Sequence, residues 1–474
     1  MSQIPGEGWG KIVDKIFLKN VIMKQTELIV IGGGLAGCEA AWQAAERGVS
    51  VKLYEMRPSV MTAAHQTNYL GELVCSNSLG SSLDDRASGV LKNELRRLNS
   101  LLIKFADETA VPAGGALAVD RQAFAQVITK QVESHPRIRV IRQEITEIPE
   151  GYCIIASGPL TSDSLAKSIA QYTGHSHLYF FDAIAPIVRG DSINMDIAFK
   201  ASRYGRGSEG GDYLNCPLSA RQYEEFVTTL SQAECIELKP FEDQIKYGVP
   251  AGEKQFFEAC LPIEILAKRG RDSLAFGPLR PTGLIDPKTN KRPYAVVQLR
   301  QDNLAGDLYN IVGFQTNLKF HEQKRVFRLI PGLEKAEFVR YGQMHRNTFI
   351  FSPGLLYDTL QYKARENLFF AGQITGVEGY VGNIATGLLA GWNAARLINN
   401  QKALIMPRTT MLGALCYYIS HAAAQDFQPM KANFGLLPIQ HITGTAKLGK
   451  KRRREVYAQR ALDDLEHYLM SVTD

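Results

Sequence analysis

Glu27-Leu28-Ile29-Val30-Ile31-Gly32-Gly33-Gly34-Leu35-Ala36-Gly37 decides the fold. The apolar run Leu28 to Ile31 reads as a buried parallel strand. Glycines follow at once, and Cys38 to Arg47 then reads as a helix. In this strand–turn–helix, Gly32 permits the tight turn, Gly34 lets the backbone approach a pyrophosphate, and Gly37 lets helix and strand pack closely. The helix N-terminus, from Leu35 and Ala36, offers free N–H groups and a positive dipole end to the phosphates. A second strand, Val49 to Leu53, runs on through Tyr54 to Glu55. That acid lies close to the roughly 20 positions after the turn expected of a carboxylate that binds a ribose hydroxyl. A GxGxxG alone is weak evidence; strand, helix, second strand and terminal acid together predict a dinucleotide site.

A chain of 474 residues with 45% hydrophobic and 22% charged residues reads as a globular protein of two or three domains. No apolar run reaches the length of a membrane span. Residues 1–24 lack the apolar core and cleavage site of a secretory signal. Residues 1–26 read as an N-terminal extension; Met23 just before the first strand leaves open an upstream start for 1–22. The seven cysteines form no CxxC, which argues against a zinc site or a dithiol redox centre. An odd number of thiols predicts a reduced, cytoplasmic setting. Most such cysteines are small core residues and nothing more.

Further along, Arg57 to Ser82 is a long polar connection, of the kind that usually carries function. A helical pattern spans Val90 to Lys104, and another helix runs from about Arg121 through Ser134. Val140-Ile141 and Tyr152 to Ala156 read as strands of the first sheet. From about residue 160 the pattern changes. We expect an α/β protein with a Rossmann-like dinucleotide domain in two parts, 27–160 and 351–474, and a second α/β domain, 161–350, inserted between them. The first domain resumes with a strand, Leu368 to Gly372, a glycine-rich loop and a small-residue helix from Asn383. In two-part flavin folds such a late element returns to the cofactor, its helix N-terminus facing the polar edge of the isoalloxazine. The alternative is a helix that is glycine-rich only for packing.

The motifs carry a resemblance. Gly32 to Gly37, Leu53-Tyr54-Glu55-Met56-Arg57-Pro58 and Glu72-Leu73-Val74-Cys75-Ser76-Asn77-Ser78 come first. Gly115 to Arg121, Tyr213 to Pro217, Arg292 to Asn303, Gly313 to Asn317, Met344 to Phe349 and Asn433 to Pro438 follow in order. Together they resemble the folate- and FAD-dependent tRNA (uracil-5-)-methyltransferases, the TrmFO family, over about residues 27–465. The wider group includes the GidA-type tRNA-modifying flavoproteins, which share the early fingerprint.

The resemblance implies that NADH or NADPH reduces FAD, and that 5,10-methylenetetrahydrofolate supplies a methyl group to C5 of the T-loop uridine of tRNA. It implies cofactor contacts from Gly32, Gly33, Gly34, Leu35, Ala36, Gly37, Glu55, Gly372 and Asn383. Uracil C5 is a poor nucleophile until a thiolate adds at C6. Cys260 matches the family's attacking cysteine, and Cys75 a second cysteine near the flavin; residues alone leave open which attacks. Glu258 and Glu264 flank Cys260 and are weighed for proton transfer. Two stretches depart from the pattern. Residues 246–255 read as an inserted exposed loop, and Gly379-Tyr380-Val381-Gly382-Asn383 stands where Val-Glu-Ser is expected. No metal and no obligate protein partner are expected.

From Lys447 to Arg460 seven cations stand against one carboxylate, Glu455, an excess equal to the whole chain's net charge of +6. Lys450, Lys451, Arg452, Arg453 and Arg454 read as phosphate contacts to RNA, with a solvated charge run as the plainer alternative. Two other functions remain to be weighed: a GidA-like modifier of wobble uridine, and a small-molecule flavin oxidoreductase.

Overall fold

The computed structural model describes residues 26–62, 64–175, 178–236, 249–251, 254–256, 261–438 and 449–472. Strands are numbered along the chain. The first sheet is built on β1 (Leu28–Ile31), flanked by β2 (Val51–Glu55) and β7 (Tyr152–Ile155). Beyond β2 lies β6 (Ile138–Arg142); beyond β7 lies β19 (Arg365–Phe370), then β18 (Gln361–Tyr362). All pair in parallel except β18. Leu28 and Val30 are fully buried, as a strand with covered faces requires. This is the Rossmann-like α/β arrangement that the early fingerprint predicts.

One face carries two packed helices, Leu35–Glu46 and Tyr380–Ile398. Their contact explains the small residues of the second. A Cβ at Gly387 would lie 2.3 Å from the Ala36 carbonyl oxygen, and one at Gly391 2.4 Å from that of Ala40. The two glycines are four apart, so they lie on one helix face and let the backbones meet. The second helix starts at Tyr380, three residues before the predicted Asn383.

A smaller sheet holds β3 (Ser78–Ser81), β4 (Ala110–Val111) and β5 (Ala116–Val119). Between β3 and β4 the predicted single helix over Val90 to Lys104 is two helices, Ala87–Arg97 and Leu101–Glu108. Asn99 turns the chain with a positive φ of 54°, and the Ser100 side chain caps the next helix at Ile103 N. Periodicity misses this break because apolar residues continue across it. The buried Glu39 carboxylate completes the cap, accepting from Leu101 N (3.2 Å), Leu102 N (3.0 Å) and Ser100 Oγ (2.9 Å). Glu94 does the same for the helix Met411–His421, through Met411 N (2.6 Å) and Leu412 N (2.9 Å). Carboxylates at helix N-termini meet unpaired donors and the positive end of the dipole.

Between β7 and β18 the chain builds two further sheets. The larger is antiparallel and uses β9 (Ile187–Arg189), β10 (Phe199–Ala201), β11 (Tyr213–Leu218), β14 (Ala295–Gln301), β15 (Leu308–Ile311) and β16 (Phe338–Arg340). Helices Ala220–Gln232 and Phe320–Phe327 supply Phe226 and Phe327 to its own core, around Phe314. The other sheet has the order β12 (Val249–Ala251), β13 (Lys254–Phe256), β8 (Leu178–Ala183), β17 (Met344–Phe349). The described parts of 246–255 therefore form a paired hairpin, where sequence predicts a loop. Pro250 is compatible with this because β12 is an edge strand. Among the described residues no helix is long and apolar enough to cross a membrane.

Candidate active site

A groove opens at the carboxyl end of β1. Gly32, Gly34, Leu35, Ala36, Glu55, Gly372 and Asn383 all line it. Gly33 and Gly37 lie behind its wall. Gly37 is where the helix crosses the turn: a Cβ there would stand 1.8 Å from the Gly32 carbonyl oxygen. Gly32 takes φ +106°, a conformation L side chains rarely adopt. Gly34 differs from both. Nothing lies within 4 Å of the point where its Cβ would be, so its surface belongs to the groove. That open cradle at a helix N-terminus fits a pyrophosphate.

Glu55 is held before any ligand arrives. Its Oε2 accepts from Gly33 N at 2.9 Å, and its Oε1 from Arg57 N (3.0 Å) and Arg57 Nε (2.9 Å). Burial works against its charge, but Arg57 and the two main-chain N–H groups outweigh that and hold the carboxyl below its usual range. Arg57 is in turn paired with Glu72 at 2.9 Å. A carboxylate has about four lone-pair positions, so Oε2 keeps one for a ribose hydroxyl. At the other end of the groove Gln373 Nε2 donates to Glu378 at 2.9 Å, and Asn383 Oδ1 is buried without a partner. These residues fit the ribose, pyrophosphate and ring of FAD.

A second cavity, of about 770 Å³, adjoins the groove. Val74, Pro159, Gln373 and Tyr380 line both. Cys75 is in its wall, half-buried, with Asp182, Asn347 and Glu378. Burial pushes the Cys75 thiol up to about 12; Asp182 adds to this and Arg121 opposes it. Burial likewise raises the Glu378 carboxyl to about 7, with Asp182 adding and Lys431 opposing. The expected Val-Glu-Ser acid is missing at Gly382, yet Glu378 brings a carboxyl into the same cavity from the preceding turn. Sequence reading passed over Glu378, Asp182 and Asn347. The Gly376 to Gly382 loop and the Met344 to Phe349 motif held the only signal for Glu378 and Asn347.

Cys260 and Glu258 lie outside the described residues. Glu264 is a correction to the proton-transfer expectation. It is buried and committed to Asn317 N (2.8 Å) and Thr316 Oγ1 (2.9 Å), so it joins two segments of the second core. Cys38, Cys153, Cys216 and Cys416 are buried in cores, as expected of small apolar residues; Cys235 is exposed.

The basic run opens a 23-residue helix, Lys450–Val472. Lys450 and Arg454 line the mouth of the cavity, while Lys451, Arg452 and Arg453 are exposed. Arg452 meets Glu455 at 3.0 Å. Four cations in a first turn oppose the helix dipole.

Comparison with known proteins places the chain. Residues 27–402 match the family model described as glucose inhibited division protein A. A methylenetetrahydrofolate–tRNA-(uracil-5-)-methyltransferase TrmFO of Halalkalibacterium halodurans is 55% identical over 94% of this chain and 99% of its own length. That of Bacillus subtilis is 54% identical over 94% and 99%. That of a Synechococcus is 56% identical over 92% and 93%. In fold the chain is similar to GidA of Aquifex aeolicus, with a TM-score of 0.63 at 16% identity over 93% of this chain and 78% of that one. The groove, the adjoining cysteine-bearing cavity and the full-length likeness lead to one conclusion: the chain belongs to the TrmFO family, within the broader glucose inhibited division protein A group.

Proposed function

We propose that this chain methylates C5 of the T-loop uridine of tRNA. The one-carbon donor is 5,10-methylenetetrahydrofolate and NAD(P)H is the source of electrons. The observation that carries this reading is 54–56% identity, over nearly the whole length, to relatives named methylenetetrahydrofolate–tRNA-(uracil-5-)-methyltransferase. The setting is cytoplasmic, and no second protein is required. Residues 27–160 and 351–474 hold the cofactor and the basic helix; residues 161–350 supply the far wall of the cavity.

When bound and reduced by NAD(P)H, the flavin would relay the one-carbon unit and would supply the two electrons that turn a methylene into a methyl group. The chain's own residues do the rest. Gly34 and the Leu35–Ala36 N–H groups hold the pyrophosphate, and Glu55 orients the ribose. Cations from Lys450 to Arg454 hold tRNA phosphates at the cavity mouth. A thiolate at Cys260 adds to uracil C6 and makes C5 nucleophilic. Cys75, its thiol pushed up to about 12 by burial, stays beside the groove as the second cysteine. Glu378, raised to about 7, is matched to accept the proton that C5 loses.

The test is tRNA containing 5-fluorouridine, whose C5–F bond blocks loss of the proton and traps the thiol adduct. Cys75→Ala forms the adduct and Cys260→Ala does not. Adduct formation by Cys260→Ala alone would reverse the two roles. Absence of adduct with the unaltered enzyme would overturn the uridine C6 mechanism.

A further inference from the structure

On the second domain, four arginines gather around one residue, Thr282. Arg203 donates from Nη1 to Thr282 O at 3.1 Å, and Arg292 from Nη2 to Thr282 Oγ1 at 3.0 Å. Arg203 Nε also donates to Gln298 on β14 at 2.7 Å. Burial, and then the charge of Arg280, hold Arg203 below its ordinary range. Arg206 Cζ stands 5.8 Å from the centre of the Tyr204 ring, within cation–π reach. Among the described residues none of these four pairs with a carboxylate, whereas Arg271 pairs with Glu224 at 3.0 Å. Glu209 is exposed, and Asp212 is spent within the fold, accepting from Gly114 N (2.6 Å) and Ser208 N (3.0 Å). Tyr204 takes φ +59°, rare for a bulky side chain, and is 64% exposed. Its N–H donates to Gly283 O at 3.2 Å, and a Cβ on Gly283 would stand 3.0 Å from the ring. Phe276, which begins the same loop, is 84% exposed. The patch runs on to the cavity mouth. A Cβ at Gly114 would lie 3.4 Å from the Tyr213 ring and 3.8 Å from Arg206 O. The next carbonyl, Gly115 O, accepts from Ser81 Oγ at 3.2 Å, and Ser81 lines the cavity together with Lys450 and Arg454.

Each observation alone has a plain reading: single exposed aromatics and solvated charges are common on protein surfaces. Here they share one loop. A residue held in a sparsely populated backbone conformation marks a candidate functional position, and this one presents an aromatic ring to solvent among unpaired guanidinium groups. RNA loops complement both features. Their phosphates neutralise arginines, and their unpaired bases stack on aromatic rings and on guanidinium planes. An acidic protein segment would answer the arginines and leave the ring without a role. We propose that Arg206, Arg280 and Arg292 hold tRNA phosphates flanking an unpaired base that stacks on Tyr204, with Arg203 bracing the loop beneath. This rests on the tRNA reading above and adds to it a second RNA contact, on the inserted domain and apart from the basic helix.

The experiment measures, by fluorescence anisotropy over a range of salt, how the FAD-loaded enzyme binds a tRNA transcript and a blunt RNA duplex with no unpaired base. Flavin absorbance and denaturant midpoints report that each variant is folded. Arg206→Gln, Arg280→Gln and Arg292→Gln together weaken tRNA binding and flatten the dependence of log K on log salt by about 0.7–0.9 per lost phosphate contact. Tyr204→Ala weakens tRNA binding by about tenfold, the scale of one stacked base, with the salt slope and the duplex affinity unchanged. Tyr204→Phe keeps the stacking face and binds as the unaltered enzyme does. A ring needed only for packing would not separate tRNA from duplex. Equal tRNA affinity and equal slope in every variant overturn the proposal while leaving the tRNA reading in place. A transcript that fails to bind the unaltered enzyme overturns both. Equal loss on tRNA and duplex in Tyr204→Ala overturns the stacked base. A dimer of the unaltered enzyme that the arginine variant dissociates in sedimentation, with tRNA affinity unchanged, would assign the face to a second copy of the chain and overturn the proposal.

Discussion

The main-chain N–H of Cys75 donates to the phenol oxygen of Tyr380 at 2.8 Å, across 305 positions of sequence. Tyr380 begins the helix that packs on the fingerprint helix, and it lines both groove and cavity. One hydrogen bond thus ties the cysteine loop to the element that closes the cofactor site. Arg121 holds the same loop from the other side, donating from Nη1 to Leu73 O (2.9 Å) and Cys75 O (2.7 Å). Arg340, on β16, donates to Val74 O at 3.0 Å.

That environment makes Cys75 a slow thiol. With its pKa near 12, the thiolate fraction at pH 8 is roughly a thousandfold below that of an ordinary cysteine. Alkylation of Cys75 by iodoacetamide, followed by peptide mass spectrometry, keeps rising with pH beyond 9. Asp182→Asn speeds it and Arg121→Gln slows it. A plateau near pH 8.5 would show that burial does not control this thiol.

The glycines of the fingerprint predict two different failures. Gly34 has open space around it and an ordinary backbone, so Gly34→Val folds but occupies the pyrophosphate path and loses most of its flavin. Gly37→Val meets the Gly32 carbonyl and destabilises the fold, with a cost of several kcal/mol from overpacking. Flavin absorbance and denaturant midpoints separate the two. Normal flavin content in Gly34→Val would misplace the pyrophosphate.

Glu378 sets a pH limb. Its carboxyl is raised to about 7, so the basic form needed to accept a proton fills as pH rises through that value. Single-turnover methyl transfer should rise between pH 6 and 8 and level off above. Glu378→Gln abolishes the limb together with most of the rate, by roughly a hundredfold or more. A flat profile in the unaltered enzyme would remove Glu378 from the proton path.

The basic helix is tested by salt. Replacing Lys450, Lys451, Arg452, Arg453 and Arg454 with Gln weakens tRNA binding and flattens the dependence of log K on log salt, by about 0.7–0.9 per lost phosphate contact. Flavin reduction by NAD(P)H is unchanged. An unaltered slope would leave these cations as a solvated face.

What sequence reveals here follows from the range of the interaction. The fingerprint is local: strand, turn, helix and acid lie within about 30 residues and each constrains the next. The strand, turn and helix therefore stand where the sequence predicts them, with Gly32 at a positive φ and Gly37 close against the Gly32 carbonyl. The small-residue helix is open to two readings, packing or cofactor contact; Gly387 packs against Ala36, and Asn383 in the helix's first turn lines the groove. The break at Asn99 and Ser100 was missed because Glu39, which completes the cap, is some 60 residues away. Glu264 flanks Cys260 in sequence and so invites weighing for proton transfer, but its partners, Thr316 and Asn317, come from a later segment. The Asp182–Asn347 wall exists only through the pairing of β8 with β17, which periodicity does not specify.

The central claim is the source of the carbon. The FAD-loaded enzyme is given tRNA, NADPH and both donors, with the label first in methylenetetrahydrofolate and then in S-adenosylmethionine. The T-loop uridine is recovered by nuclease digestion. Label in 5-methyluridine from the folate, and none from S-adenosylmethionine, is the result this account predicts. Label arriving only from S-adenosylmethionine, or appearing in a wobble uridine instead of the T-loop, would contradict it.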